Sequence, residues 1–181
     1  MKIPTPLLQR LRENPRDFFK FLKVFDKQTN KLIPFVMNGE QEELLDALMT
    51  HKRIVVCKAR QIGCSTLLRA YFLWRTYVQS EPTRHAIISY TRDSADHLHS
   101  IDKSFYFSLP KPLQRKLKKS SSRTLQFKDT EAELRSFTGG GKGGATRSFT
   151  FSSAHISEFA FLITKTNSLL IQLRQLVKDR L

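Results

Sequence analysis

The chain has 181 residues, 40% of them hydrophobic, which suits one domain with a core that needs neither disulfides nor metal. Its 31 Lys and Arg against 16 Asp and Glu leave a formal net charge of +15, more than solubility requires and attractive to a polyanion, nucleic acid first. Cys57 and Cys64 match neither a zinc knuckle nor a redox pair, no apolar run approaches the roughly 18 residues of a membrane span, and the N-terminus lacks the apolar core of a secretory signal. A reduced, cytoplasmic protein with no membrane partner is expected.

Residues 1–34 read as an N-terminal helical docking segment. Two short helices over 4–26, punctuated by Pro6 and Pro15, carry Phe18, Phe19, Leu22 and Phe25 at helical spacing on one face. Asn38 opens a clearer helix, with Gln41 three residues on in the position of a capping box and Glu40, Glu42 and Glu43 suiting the positive end of the dipole. "RIVVC" (53–57), β-branched and apolar on both faces, predicts a buried parallel strand. A helix follows from about residue 65 to 79 with Leu67, Leu68, Tyr71, Phe72 and Trp74, then a second buried strand, "HAIIS" (85–89). The next helix is capped by Thr91 or Asp93. Strand, loop, helix, strand, helix is the alternation that builds a parallel sheet with right-handed crossovers.

Between 111 and 128, Lys111, Arg115, Lys116, Lys118, Lys119, Arg123 and Lys128 occur without an acidic residue, a concentration of charge suited to DNA phosphates. Residues 124–137 predict a hairpin turning near Asp129 to Glu131. The stretch 138–148 holds five of the seven glycines together with Lys142 and Arg147. It contacts DNA, presents charge to a neighbouring subunit, or is a plain connection. "FTFSSAHISEFAF" predicts a third parallel strand running into Glu158, and 167–181 a helix with Leu169, Leu170, Leu173, Leu176 and Val177 inward. His85, His97, His99 and His155 show no metal spacing and read as structural or exposed.

The stretch "CKARQIGCST" (57–66) lies where a phosphate loop belongs, between strand and helix. Such loops aim backbone amides at phosphate oxygens, with a lysine for charge and a hydroxyl for magnesium. In the pattern G-x-x-x-x-G-K-[ST], Gly63 takes the second glycine and Ser65 or Thr66 the hydroxyl, but Lys58 stands at the first glycine and Cys64 at the lysine. Taken alone, the residues allow two readings: a phosphate loop whose cation has moved to Lys58 and Arg60, or a turn in which Gly63 relieves strain and Ser65 caps a helix.

The stretch resembles the altered phosphate loop of the large terminase subunits of tailed bacteriophages, where a lysine opens the loop, followed by Arg-Gln, then Gly and Ser-Thr. Lys58, Arg60, Gln61, Gly63, Ser65 and Thr66 match it. Gln41 resembles that family's adenine-reading glutamine and "HISEFAF" its acidic segment, so the resemblance covers residues 35–162. It implies a P-loop NTPase core over 35–181, a three-layer α/β/α fold with a mainly parallel sheet, incomplete on its C-terminal side. It also implies ATP and magnesium as cofactors.

Under that resemblance, Lys58, Ala59, Arg60, Gln61, Ile62, Gly63, Cys64, Ser65 and Thr66 hold the phosphates, with Lys58 and Arg60 supplying positive charge. Ser65 and Glu158 serve the metal, and Glu158 activates the attacking water. Ser157 stands where many such ATPases have Asp. Gln41 reads adenine or completes its cap. Double-stranded DNA is the implied substrate, with other terminase subunits and a portal ring as partners, in the host cytoplasm. Neither a coupling motif nor a nuclease cluster is visible after residue 162, so a fragment, a truncated product or a partner-dependent protein is expected, with weak turnover in isolation and no nuclease activity. The alternatives are a helicase-like ATPase fragment and a non-enzymatic basic DNA-binding module.

Overall fold

A computed structural model describes residues 5–26, 28–57, 62–139 and 150–159. Helix α1 (Thr5–Glu13) gives way at Asn14, whose side chain accepts the Arg16 N–H at 3.0 Å and so caps α2 (Pro15–Phe19). Pro15 sits at the start of α2, where its missing N–H costs nothing. Phe18, Phe19 and Leu22 are buried, as their spacing predicts. The helical expectation fails at residue 23, where an antiparallel ribbon begins: β1 (Lys23–Asp26) and β2 (Lys31–Pro34). Turn chemistry makes the difference. Asp26 accepts the N–H groups of Gln28 and Thr29 and the Thr29 hydroxyl, and Asn30 takes the left-handed conformation at φ 56°. Phe25 therefore lies on the ribbon, 55% exposed, instead of on a buried helix face.

Helices α3 (Gly39–Thr50), α4 (Cys64–Val78) and α5 (Arg92–Ser108) follow the predicted positions, with Thr91 capping α5 by accepting the Ser94 N–H. The strands β3 (Arg84–Ser89), β4 (Leu117–Ser120), β5 (Thr124–Phe127), β6 (Glu133–Thr138) and β7 (Ser153–Ile156) form one mixed sheet in the order β4-β5-β6-β3-β7. β6, β3 and β7 run parallel, while β4, β5 and β6 are antiparallel. The expected hairpin is β5 and β6, turning at residues 128–132 with Glu131 at φ 56°. Its second arm also joins the parallel part of the sheet beside β3. The basic run contributes β4, a strand its composition did not announce; lysines on an outer strand discourage pairing with another chain.

The predicted strand at 53–57 is absent. These five residues carry no regular structure, and Val55 is 91% and Val56 40% exposed. Both edges of β3 are filled, by β6 and β7, and among the described residues no strand lies alongside 53–57 to receive its main-chain groups. The β-branched composition was a sound indicator of strand propensity, but pairing decides whether a strand forms.

Helices α4 and α5 pack against each other and the sheet. Leu67 and Leu73 of α4, Phe105 of α5, and Leu125 and Leu134 of the sheet share one core with Leu11, Phe18 and Phe19, and the Trp74 indole N–H donates to the Leu11 carbonyl at 2.7 Å. Ala86, Ile88 and Phe137 form a second cluster with Tyr90, Phe151 and Ile156. Between α4 and α5 lies a fully buried ion pair, Arg69 Nη1 to Asp102 Oδ2 at 3.5 Å, with His99 Nδ1 3.4 Å from the same oxygen. The Arg69 guanidinium stands 5.0 Å from the centre of the Phe72 ring. No helix among the described residues is long and apolar enough to cross a membrane.

His85, at the start of β3, is buried against Phe72 and joined through Nδ1 to the Ser153 hydroxyl. Burial, helped by the charges of Arg75 and Arg69, pushes its pKa down to about 3. The folded state therefore holds His85 neutral while the unfolded chain takes up a proton near pH 6.5, so this contribution to stability is complete above about pH 6.5 and is lost as pH falls toward 3. Urea unfolding of the wild type should lose stability at about 1.4 kcal/mol per pH unit from this group below pH 6, a slope that His85→Phe should remove.

Candidate functional site

The turn that enters α4 is held from outside by the first residues of α3. Asn38 Oδ1 accepts the Gln41 N–H at 2.9 Å and Gln41 Oε1 accepts the Asn38 N–H at 3.1 Å, the reciprocal capping box that the sequence predicts. The same side chains also use their amide nitrogens. Gln41 Nε2 donates to the Gly63 carbonyl at 2.8 Å, and Asn38 Nδ2 donates to the Ile62 carbonyl at 3.3 Å. Two amide side chains on one helix start thus hold two consecutive carbonyls of the turn.

Gly63 is the N-cap of α4, in the left-handed conformation at φ 77° and ψ 10°, and its carbonyl also accepts the Leu67 N–H that closes the first helical turn. A side chain is excluded there twice over. The left-handed backbone disfavours a Cβ, and a Cβ built at this position would lie 2.5 Å from Gln41 Nε2. In a trans peptide the carbonyl of one residue and the N–H of the next point in opposite directions, and none of the described peptides is cis. With the Ile62 and Gly63 carbonyls drawn toward α3, the following N–H edges face away from it, on the side where α4 begins. A left-handed residue followed by a right-handed helix start is an arrangement of backbone donors suited to an anion. Ser65 and Thr66, half-buried, place two hydroxyls in that first turn, and Cys64 is buried.

Lys58, Ala59, Arg60 and Gln61 lie outside the described residues, as do Lys142 and Arg147. Glu158 is exposed and directly follows the sheet: Ser157 donates its N–H to the Ile88 carbonyl at 2.8 Å, and Glu158 then turns at φ 56°. A left-handed non-glycine residue costs of order 1–2 kcal/mol, and Asn30 and Glu131 adopt the same φ at their turns.

The basic residues of 111–128 divide into two groups. Arg115 is engaged within the fold, paired with Asp129 at 2.7 Å, donating to the Tyr77 carbonyl and stacked over Phe127. Lys118 pairs with Glu131 and Arg123 lies 3.7 Å from Asp96. Lys111 approaches the Gln114 side chain at 3.4 Å. Lys116, Lys119 and Lys128 are exposed and have no ion-pair partner among the described residues.

Sequence reasoning recognised Asn38 as a cap but not as a grip on Ile62, and no local pattern signals such a long-range bond. It also passed over the buried Arg69–Asp102 pair, although an Arg inside "LLRAYFLW" was a visible polar interruption of an apolar helix. No protein-family model matches the chain, and no curated protein matches it.

Gly63→Ala is expected to lower unfolding stability by about 2–3 kcal/mol, because the Cβ displaces the Gln41 amide and the backbone is left-handed. Gly39→Ala, where a Cβ meets nothing within 4 Å, should be neutral or slightly stabilising. Chemical-denaturant midpoints of the two variants check both halves.

Proposed function

We propose that the chain is an ATP-binding motor domain of the kind found in the large terminase subunits of tailed bacteriophages, with a P-loop NTPase fold and double-stranded DNA as the polymer it acts on. The observation that carries the reading is the turn at Gly63: a left-handed glycine opening a 15-residue helix, its two carbonyls drawn aside, in the middle of "KARQIGCST". Glu158 supports it by standing just past the end of a parallel strand, the edge of an α/β sheet where ligands bind.

The residues fit magnesium and a triphosphate. Gly63 opens α4 in the left-handed conformation with the Gln41 amide packed on its Cβ side, and two hydroxyls, Ser65 and Thr66, lie in the first turn of α4. Magnesium that arrives with phosphates needs only one or two protein oxygens. When bound, the nucleotide would supply the phosphoryl group to be transferred and magnesium would offset the negative charge of its oxygens. The protein's part is positioning and charge: the turn amides orient the phosphates, Lys58 and Arg60 neutralise them, and Ser65 offers its hydroxyl oxygen. Glu158 would take the proton of the water that attacks the γ-phosphorus as the bond to the bridging oxygen breaks and ADP leaves. Gln41 is assigned to the turn and not to adenine, since both of its side-chain polar atoms are engaged with the protein.

A second reading, a basic DNA-binding module without ATPase activity, draws on Lys116, Lys119 and Lys128 exposed around the outer strands of the sheet. Calorimetric titration with magnesium and ATP separates the two. The motor reading expects binding that Lys58→Ala weakens at least about tenfold, the scale of one charge-assisted contact. Salt-sensitive DNA binding with no nucleotide binding favours the module. For turnover, Glu158→Gln should bind ATP as the wild type does but release phosphate at least about 100-fold more slowly in the presence of DNA; wild-type turnover in that variant would remove Glu158 from the mechanism.

A further inference from the structure

Gln41 and Asn38 contribute four side-chain polar atoms, and each is engaged: Oδ1 and Oε1 with the capping box, Nδ2 and Nε2 with the Ile62 and Gly63 carbonyls. Gln41 is only 5% exposed, with one Nε2 hydrogen committed to the turn and one Oε1 lone pair to the cap, so its amide edge reaches a base only if the side chain swings outward and lets go of the turn. Releasing Nε2 would also leave the Gly63 carbonyl with the Leu67 N–H alone.

We infer that Asn38 and Gln41 are positioning residues that aim the amides at the start of α4, and that the site recognises the triphosphate without selecting the base. This inference rests on the phosphate-binding reading of the turn. The physical step is the rigidity of the peptide plane: holding two consecutive carbonyls toward α3 fixes the direction of the N–H groups that follow them. Donors fixed before the anion arrives need no reorganisation on binding, which is where preorganised sites gain affinity. A base-reading glutamine would instead be accessible, with its amide edge answered only when nucleotide is bound. Here the amide is answered by the protein itself, and its partner is a main-chain carbonyl of the phosphate turn.

Two substitutions isolate the Nε2 donor. Gln41→Glu keeps an oxygen for the Asn38 N–H, hence the capping box, but loses the donor and adds charge. Gln41→Met loses the donor and the Oε1 half of the capping box without adding charge. The donor to Gly63 is what both lose. Isothermal titration of the full chain with magnesium complexes of ATP, GTP and inorganic tripolyphosphate, at a temperature where circular dichroism shows each variant folded, reads the outcome.

The wild type should bind ATP and GTP within about threefold of each other, and both variants should weaken all three probes alike, by about tenfold or more. A wild-type preference for ATP over GTP above tenfold that Gln41→Met abolishes, with tripolyphosphate binding unchanged, would overturn the inference. A loss in only one variant would also overturn it, assigning the effect to charge or to the cap. If the wild type binds none of the three, the phosphate-binding reading itself fails, and the base-indifferent site with it. Hydrogen exchange at residues 62–67 then decides the positioning role: faster exchange in both variants upholds the grip on the turn, and an unchanged rate refutes it.

Discussion

A β-strand offers two hydrogen-bonding edges, and β3 has both filled by parallel partners, β6 on one side and β7 on the other. That arrangement organises the described fold. It makes β6 the junction between an antiparallel half and a parallel half, because β6 closes a hairpin with β5 while running alongside β3. It brings the C-terminal ends of β3, β6 and β7 to one edge, where Gly139 bonds to Ser89, Ser157 bonds to Ile88 and α5 opens at Thr91. Glu158 owes its place to the same pairing, since one more residue beyond Ser157 carries the chain off the sheet. It also leaves residues 53–57 no room beside β3.

How much of this was legible in the sequence depends on the range of the interaction concerned. The caps at Asn14, Asn38 and Thr91, the helices α3, α4 and α5, and the hairpin of β5 and β6 are decided within a few residues. Periodicity, capping residues and turn chemistry located those helices and the hairpin, and the capping box at Asn38 and Gln41 forms as its spacing indicates. The ribbon at 23–34 went unread because Phe25 continues a helical spacing even though Asp26 and Asn30 build a turn just after it. The strand at 53–57 was misjudged for the opposite reason: its composition is strand-like, but the partner a strand requires is a non-local matter. Within the candidate site, the sequence draws attention to Gly63 and Gln41 separately, one as a loop glycine and the other as a cap or base reader. The bond between them spans 22 residues of sequence, and nothing local could predict it.

The large positive charge is not all available to a partner. Arg16 bridges α2 to α3 through Glu42 at 2.9 Å and Asp46 at 2.6 Å, and those carboxylates hold its pKa above the ordinary arginine value. Arg115, Lys118 and Arg123 likewise face acidic side chains. Exposed pairs of this kind add little stability, but they set which cations can meet phosphate without first leaving an existing contact. Lys116, Lys119 and Lys128 are such cations, all close in sequence to the β4–β5 pair, and Lys23, Lys31, Lys52 and Arg53 are exposed elsewhere on the described fold.

The buried Arg69–Asp102 pair bears on how many ways the two central helices can pack. Burial alone lowers the guanidinium pKa and Asp102 acts in the opposite sense, so the pair contributes little net stability where it stands. Its influence lies in the arrangements it forbids. If α4 turned or slid against α5 by one residue, an apolar side chain would lose nothing decisive, but Arg69 and Asp102 would each be stranded in the core without a counter-charge. The burial that drives Leu67, Leu73 and Phe105 together is non-directional and separates registers less sharply than a charge pair does. One guanidinium and one carboxylate accept a single register, and so act as a key that fixes how α4, and with it the turn at Gly63, is seated.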